Sequence, residues 1–279
     1  AEKLCCAIND FINHIIITTM MAIDWAAFYI PHPAKAEKGG EDAYFFVEDG
    51  NFSFAAVFDG VGGWADQGVD PKLWAQAMAH HTREALSDSD NLITIMDQAY
   101  QETLETGIEG SCTAIMASHQ QDNQLQYANL GDSGLAIYRN GRIFFETAEQ
   151  TLGFNYPYQL SSDLAEMPED ADRGSIPIKT GDIIVIASDG LWDNLYHVEI
   201  NKLLSSCVGA QEMAQKLTIA AYQASNDDKR WAPFGQKAVE GLYADRNPHD
   251  LDWESETPPL KEWMGGKPDD IAVIVGTVY

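Results

Sequence analysis

Apolar residues along this chain fall into short runs that end on an acid followed by a small residue. The run at 53–58 (SFAAVF) reads as a buried strand stopped by Asp59-Gly60. Asp70-Pro71 is a helix start, an N-cap acid followed by proline, and the helix runs through Leu73, Ala77, Met78 and His81 toward Leu86. A second helix is predicted over 92–104. From Cys112 the period shortens, and strands are predicted over 112–118, 125–130 and 135–138. Asn140-Gly141, between Tyr138-Arg139 and Ile143-Phe144-Phe145, marks a two-residue hairpin. Ile183–Ala187 (IIVIA) is another buried strand, helices are predicted over 197–204 and 211–224, and Ile271–Val278 closes the chain as a strand.

There are no internal repeats, and two stretches fit no regular element. Residues 150–179 are polar and contain proline; residues 227–267 are acidic, Pro-rich and carry Trp231, Trp253 and Trp263. Long excursions of this kind from a compact core are often functional. The chain is therefore read as one domain, 1–279, with a flap-like excursion at 150–180 and an acidic Pro- and Trp-containing insertion at 227–267. Hairpin-spaced strands with helices in separate blocks predict an α+β fold, helices covering an antiparallel β-sandwich.

Composition narrows the partners. The chain has 279 residues, 45% of them apolar, so it can bury a sizeable core. Its 17 Lys and Arg face 43 Asp and Glu, a formal net charge of -26. No nucleic-acid partner and no attraction to an anionic membrane is expected, because phosphate contacts need a basic surface. The apolar run at 15–30 is interrupted by Asp24 and is too short to span a bilayer, so no membrane insertion is expected. Cys5, Cys6, Cys112 and Cys207 form neither a disulfide framework nor a zinc spacing, and Cys112 and Cys207 read as buried packing residues. No pattern of basic start, apolar stretch and cleavage site is present, and an intracellular location, cytosolic or organellar, is expected. The acids themselves are either a solvated surface or a set that converges on a cation.

Their placement favours the cation. AAVF-Asp59-Gly60, ANLG-Asp132-Ser133 and VIAS-Asp189-Gly190 share one layout, and Glu41-Asp42 and Asp269-Asp270 open strands at 43–47 and 271–275. Antiparallel neighbours set one strand's end beside the next strand's start, so these acids can gather at one edge. Asp-Gly after a strand is also a common turn, and any single instance has that ordinary explanation. Five instances together point to a hard, oxygen-loving ion, Mg²⁺ or Mn²⁺, because the set holds no His or Cys. Gly60, Gly62 and Ala65 mimic a dinucleotide fingerprint, but the helix begins only near Pro71 and His80-His81 stand where its acid belongs. His80, His81, His119 and His249 read as ordinary satisfied or exposed histidines.

The chain resembles the metal-dependent serine/threonine protein phosphatases, the PPM or type 2C family. The matching blocks are Gly40-Glu41-Asp42-Ala43, Val57-Phe58-Asp59-Gly60-Val61-Gly62-Gly63, Gly110-Ser111-Cys112-Thr113-Ala114, Asn129-Leu130-Gly131-Asp132-Ser133, Ala187-Ser188-Asp189-Gly190-Leu191-Trp192-Asp193 and Lys267-Pro268-Asp269-Asp270-Ile271. Gly63-Trp64, Gly68-Val69-Asp70-Pro71, the 154–160 segment (FNYPYQL) and Gly265-Gly266-Lys267-Pro268 are similar to the T-cell-activation phosphatase branch, whose members are often mitochondrial or plastid.

The resemblance implies two antiparallel sheets face to face with helices on both outer faces, and a binuclear Mg²⁺ or Mn²⁺ centre at one end. By motif, Asp59 bridges both ions, the Gly60 carbonyl binds one, and Asp189 and Asp269 bind the other. Glu41 and Asp42 act through bound water, and Asp132 with Asp193 holds a weaker third ion. The implied activity is dephosphorylation of phosphoserine and phosphothreonine in protein substrates by a hydroxide shared between the ions, with the chain acting as a monomer. Two departures stand out. Val61 replaces a His that in many members protonates the leaving oxygen, which leaves His32 as a candidate acid by position. No Arg occurs from Ala1 to Asp42 to hold the phosphate, which leaves Lys35 or Lys38 as a point-charge substitute. These departures keep two alternatives open: a catalytically weak or silent member that binds phosphoproteins as a scaffold, and a hydrolase of small phosphate esters.

Overall fold

The computed structural model describes residues 21–50, 52–120, 123–243 and 263–279. Cys5, Cys6, His249, Trp253 and the middle of the acidic insertion lie outside the described residues.

Two five-stranded antiparallel sheets carry the fold. In the first, β1 (Ile23–Ile30), β14 (Ile271–Val278), β13 (Ile183–Ala187), β7 (Gly134–Arg139) and β8 (Arg142–Glu146) lie side by side in that order. In the second the order is β12 (Asp172–Pro177), β6 (Gln124–Leu130), β5 (Ala114–His119), β3 (Phe52–Phe58) and β2 (Ala43–Asp49). Val57, Ile115, Leu125, Leu135, Ile137, Ile184, Ile186, Ala272 and Ile274 interleave between the sheets. The alternate residues of the same strands point outward and are also buried. Phe54, Ala56 and Phe58 pack under helices α1 (Pro71–Ala85) and α2 (Leu92–Glu105); after the single turn α3 (Asp189–Trp192), α4 (His197–Leu204) and α5 (Ala210–Ser225) cover Val185, Ile271, Val273 and Val275. Burial on both faces explains why these strands read as continuous apolar runs rather than alternating ones. The α+β sandwich with helices on both outer faces is therefore the observed architecture.

Local signals hold at most boundaries. The Asp70 side chain accepts from the Lys72 amide at 3.2 Å, and Asn91 caps α2 by accepting from Ile93 and Thr94. Asn140 and Gly141 both take positive φ, 53° and 72°, as a two-residue hairpin of primed type requires. Several expectations are corrected. The strand expected over 112–118 is two pieces, β4 (Ser111–Cys112) and β5, parted at Thr113. The break comes from Thr113 turning its amide to the Asp59 carbonyl at 2.9 Å. Strand β1 belongs to no predicted element, although it supplies an edge of the first sheet. The acidic insertion opens with a helix, α6 (Pro233–Tyr243), and the 150–180 excursion contains short strands at Thr151–Gly153, Tyr156–Pro157 and Leu160–Ser161 and the whole of β12. Cys112 is buried, but Cys207 is partly exposed, with its thiol on the Leu203 carbonyl at 3.1 Å.

Candidate metal centre

Strand register gathers the acids. Ala43 pairs with Phe58, so Asp42 and Asp59 leave adjacent strand ends of the second sheet together. Ala187 pairs with Val273 on one side and Gly134 on the other, which sets Asp189 beside the residues preceding β14 and beside the β6–β7 connection carrying Asp132. Two glycines let the backbones close. A side chain on Gly60 would meet the Glu41 carbonyl at 2.7 Å and the Pro71 carbonyl at 3.1 Å, and one on Gly190 would collide with the Asp270 carbonyl. Asp59 and Val61 are also tied to the 111–113 backbone, Thr113 donating to Asp59 and Val61 to Ser111. Neither bond uses the Gly60 carbonyl.

The acids so gathered include groups with no protein partner. Both carboxylate oxygens of Asp42 and the Oδ1 of Asp189 are buried without a hydrogen bond. Burial, followed by the charge of Asp270, pushes the Asp42 carboxyl well above the ordinary range. Burial and then the neighbouring acids Asp42 and Asp189 do the same to Asp59, and burial and then Asp189 raise Asp132. Asp269 is pushed up to about 7 by burial and the Asp189 charge. Buried oxygens without donors, crowded by like charge, are what a divalent cation resolves, and the all-oxygen set fits Mg²⁺ or Mn²⁺. Asp42, Asp59, Asp132, Asp189 and Asp269 thus lie close enough to act on one another's charge. Among the described residues the three side chains whose ligand atoms all lie within 4.8 Å of one another are instead His80, His81 and Glu84, on the surface of α1; no three of the acids close to that distance.

Three lysines and a further acid join the centre, and sequence reasoning missed most of this. Asp270, read only as half of a pair, is a structural hub. It accepts from Tyr29 Oη at 2.9 Å, the His32 amide at 2.8 Å, the Glu41 amide at 3.0 Å and Lys35 Nζ at 3.5 Å. Lys35 also bonds Glu41. Burial depresses the Lys35 ammonium, but Glu41 and Asp270 outweigh it and hold the group above its ordinary range. Lys267 bonds Asp189 Oδ2, reaches Asp193 Oδ2 at 2.9 Å and lies 3.3 Å from Asp269 Oδ2. Lys237 reaches Asp193 Oδ1 at 2.8 Å and bonds Glu149. Burial raises Asp193, yet Lys267 and Lys237 prevail and its carboxyl sits below the ordinary range. Lys267 stands inside a quoted motif, so it was visible as a residue; its partners, about 75 positions away, were not.

The remaining candidates are placed as follows. His32 adjoins the hub through its amide, and its Nδ1 accepts from the Ala34 amide at 3.0 Å, capping a short helical turn. Nδ1 therefore carries no proton and Nε2 does. Val61 leads the Gly62–Gln67 turn, near which Lys35 and Glu41 lie. The excursion stands beside the acids. A groove of about 330 Å³ is lined by Asp132, Glu149, Phe154, Asp193, Phe234 and Lys237. Phe154 packs on Phe234 and Trp263 with centroids 5.0 and 5.5 Å apart, so Trp263 packs against the excursion.

This chain is similar to known proteins in sequence and in fold. The family described as Stage II sporulation protein E (SpoIIE) matches residues 57–230. Probable protein phosphatase 2C 80 of Arabidopsis thaliana is 33% identical over 90% of this chain and 57% of its own length. Probable protein phosphatase 2C 26 of the same plant is 36% identical over 89% of this chain and 81% of its own. The chain thus spans a little over half of the first relative and most of the second. The X-ray structure of the photosystem II phosphatase PBCP superposes with a TM-score of 0.83 at 33% identity, covering 92% of this chain and 99% of that one. The catalytic domain of the serine/threonine phosphatase PstP, solved with two manganese ions, shares the fold at a TM-score of 0.62 and 17% identity, covering 92% and 99% of the two chains. The chain belongs to the protein phosphatase 2C family, a class of metal-dependent serine/threonine phosphatases.

Proposed function

We propose that this chain removes phosphate from phosphoserine and phosphothreonine in protein substrates, using two divalent ions of the Mg²⁺ or Mn²⁺ class. The observation that carries the reading is the set of buried, partnerless oxygens on Asp42 and Asp189, within the blocks shared with the type 2C phosphatases. In this assignment Asp59, the Gly60 carbonyl, Asp189 Oδ1 and Asp269 would hold the ions. Glu41 and Asp42 form the outer wall. Bound ions would supply Lewis acidity toward the phosphoryl oxygens and activation of water for in-line attack.

The chain's own residues do the rest. Asp270 fixes the Glu41 backbone and the start of the His32 turn, so both backbones are held in one arrangement beside it. Lys35, held on Glu41, places a fixed positive charge beside the Gly62 loop, where an incoming phosphate would lie. Val61 carries no transferable proton. With Nδ1 accepting from the Ala34 amide, His32 is held as the neutral tautomer, whose Nε2–H can donate a hydrogen bond to the leaving oxygen but not give up its proton; that proton comes from water. Residues 1–279 act as one catalytic unit in this reading, all proposed ligands coming from one chain, and a monomer suffices. Among the described residues no helix is long and apolar enough to cross a membrane. An intracellular setting, cytosolic or organellar, follows as a proposal, and the likeness to a photosystem II phosphatase favours the organellar one.

The test is phosphate release from a phosphothreonine peptide with Mn²⁺, with chelator, and with Asp59→Asn or Asp189→Asn. The expected result is turnover that chelation abolishes and that either substitution lowers at least about 10³-fold, a loss on the scale of removing a main electrostatic stabiliser. Turnover indifferent to chelator and to both substitutions would overturn the reading. Metal binding without turnover on any phosphopeptide would favour a scaffold instead.

A further inference from the structure

The acidic centre divides into two halves of opposite character. On one side lie the partnerless oxygens of Asp42 and Asp189 Oδ1. On the other, both oxygens of Asp193 are taken, Oδ1 by Lys237 at 2.8 Å and Oδ2 by Lys267 at 2.9 Å. An ammonium has three protons to donate. Lys267 faces three carboxylates, those of Asp189, Asp193 and Asp269, and Lys237 divides itself between Asp193 and Glu149.

The position of Lys267 is built rather than incidental. Its backbone is held from both sides by the amide of Asn194, the residue after Asp193. Asn194 Nδ2 donates to the Lys267 carbonyl at 2.8 Å, and Asn194 Oδ1 accepts from the Lys267 amide at 2.9 Å. The preceding Gly266 lies so close to the end of α5 that any side chain there would strike the Ala224 carbonyl. Gly265 and Gly266 donate to the carbonyls of Arg230 and Asp227 at 2.7 and 3.1 Å. The ammonium also lies 5.3 Å from the centre of the Phe234 ring, a favourable cation–π distance.

We propose that Lys267, backed by Lys237, is a resident cation that fills the place expected for a third ion at Asp132 and Asp193, so that this chain binds two divalent ions and not three. The inference rests on the metal-dependent reading above. Electrostatics favours it. A carboxylate already neutralised at both oxygens by ammonium groups would have to give up two ion pairs to accept a dication, and a displaced buried lysine would be left uncompensated. Asp189 keeps one oxygen for the lysine and offers the other, so Lys267 couples the two halves without blocking the first.

The test counts Mn²⁺ bound per folded chain by titration followed with electron paramagnetic resonance. Wild-type protein, Asp193→Asn and the double variant Lys237→Met with Lys267→Met are compared, with circular dichroism reporting folding. The proposal expects two ions for wild type, an unchanged two for Asp193→Asn, and three for the double variant. Three ions in wild type falling to two in Asp193→Asn would overturn it, as would a folded double variant that still binds two. Should the double variant not fold, the wild-type and Asp193→Asn counts decide alone. A wild-type count of zero would sink the metal-dependent reading itself, an outcome distinct from a count of three.

Discussion

The Asp270 carboxylate accepts the backbone amide of Glu41 at 3.0 Å, across 229 residues of sequence. This bond joins the start of β14 in one sheet to the approach of β2 in the other, at the end where the acids collect. Asp270 is 2% exposed and also holds Tyr29, His32 and Lys35. Its truncation would strand several donors at once. Asp270→Ala is expected to cost about 3 kcal/mol, the usual scale for breaking a buried charged partner of several donors. Urea unfolding measures this, and a change within experimental error would show that Asp270 does not tie the sheets together.

Gly190 is predicted to tolerate no side chain, because the first carbon would strike the Asp270 carbonyl. Gly190→Ala should destabilise by about 2 kcal/mol through overpacking of backbone that has no room to yield. It should also weaken Mn²⁺ binding, since Asp189 precedes it directly. Denaturation midpoint and Mn²⁺ titration report the two effects separately, and neutrality in both would refute the close approach.

The gain in stability from Mn²⁺ should depend on pH. Without bound ions, burial and then the Asp189 charge push the Asp269 carboxyl from the usual 3.8 up to about 7. Asp42, Asp59 and Asp132 are raised as well, each chiefly by burial. A carboxyl with a raised folded-state pKa binds protons more tightly folded than unfolded, so stability falls as pH rises from about 3.8 through 7. Bound dications remove that penalty. Melting temperatures with chelator should therefore fall across this window while those at one fixed Mn²⁺ concentration fall less, the stabilisation growing as Kd falls and reaching about 2.7 kcal/mol where that concentration is 100 times Kd. An increment that does not change with pH would contradict the assigned cause.

If the His32 Nε2–H stabilises the leaving oxygen by a hydrogen bond, its loss should depend on the leaving group. His32→Asn keeps an acceptor for the Ala34 amide but removes that donor. The rate on a phosphoserine peptide is expected to fall about 10²-fold, the usual scale for one hydrogen bond to a charged group. The rate on a nitrophenyl phosphate, whose leaving group needs no proton, should stay unchanged. Equal losses on both substrates would assign His32 a structural role only.

How far the sequence carried can be judged residue by residue. Asp59, Asp132 and Asp189 were legible because a strand of apolar residues ends on each, and antiparallel pairing brings such ends together. Strand β1 was hidden because Asp24 and its mixed apolar run show neither clean alternation nor a turn signal. Helix α6 was hidden by the acidic, proline-bearing composition around it. The lysine clasp on Asp193 and the hub at Asp270 had no local signal at all. Each joins residues at least 44 positions apart, apart from Lys35 with Glu41, and only the closed sandwich places them together. Charge totals were uninformative for the same reason: a net charge of -26 does not say which few acids share one buried end.

The most direct measurement is anomalous diffraction from crystals of the protein grown with Mn²⁺. The account predicts two manganese peaks at the end of the sandwich, with Asp59 touching both, the Gly60 carbonyl on one, Asp189 and Asp269 on the other, and Lys267 still on Asp193. Manganese bound elsewhere, or peaks that leave Asp59 and Asp189 untouched, would contradict it.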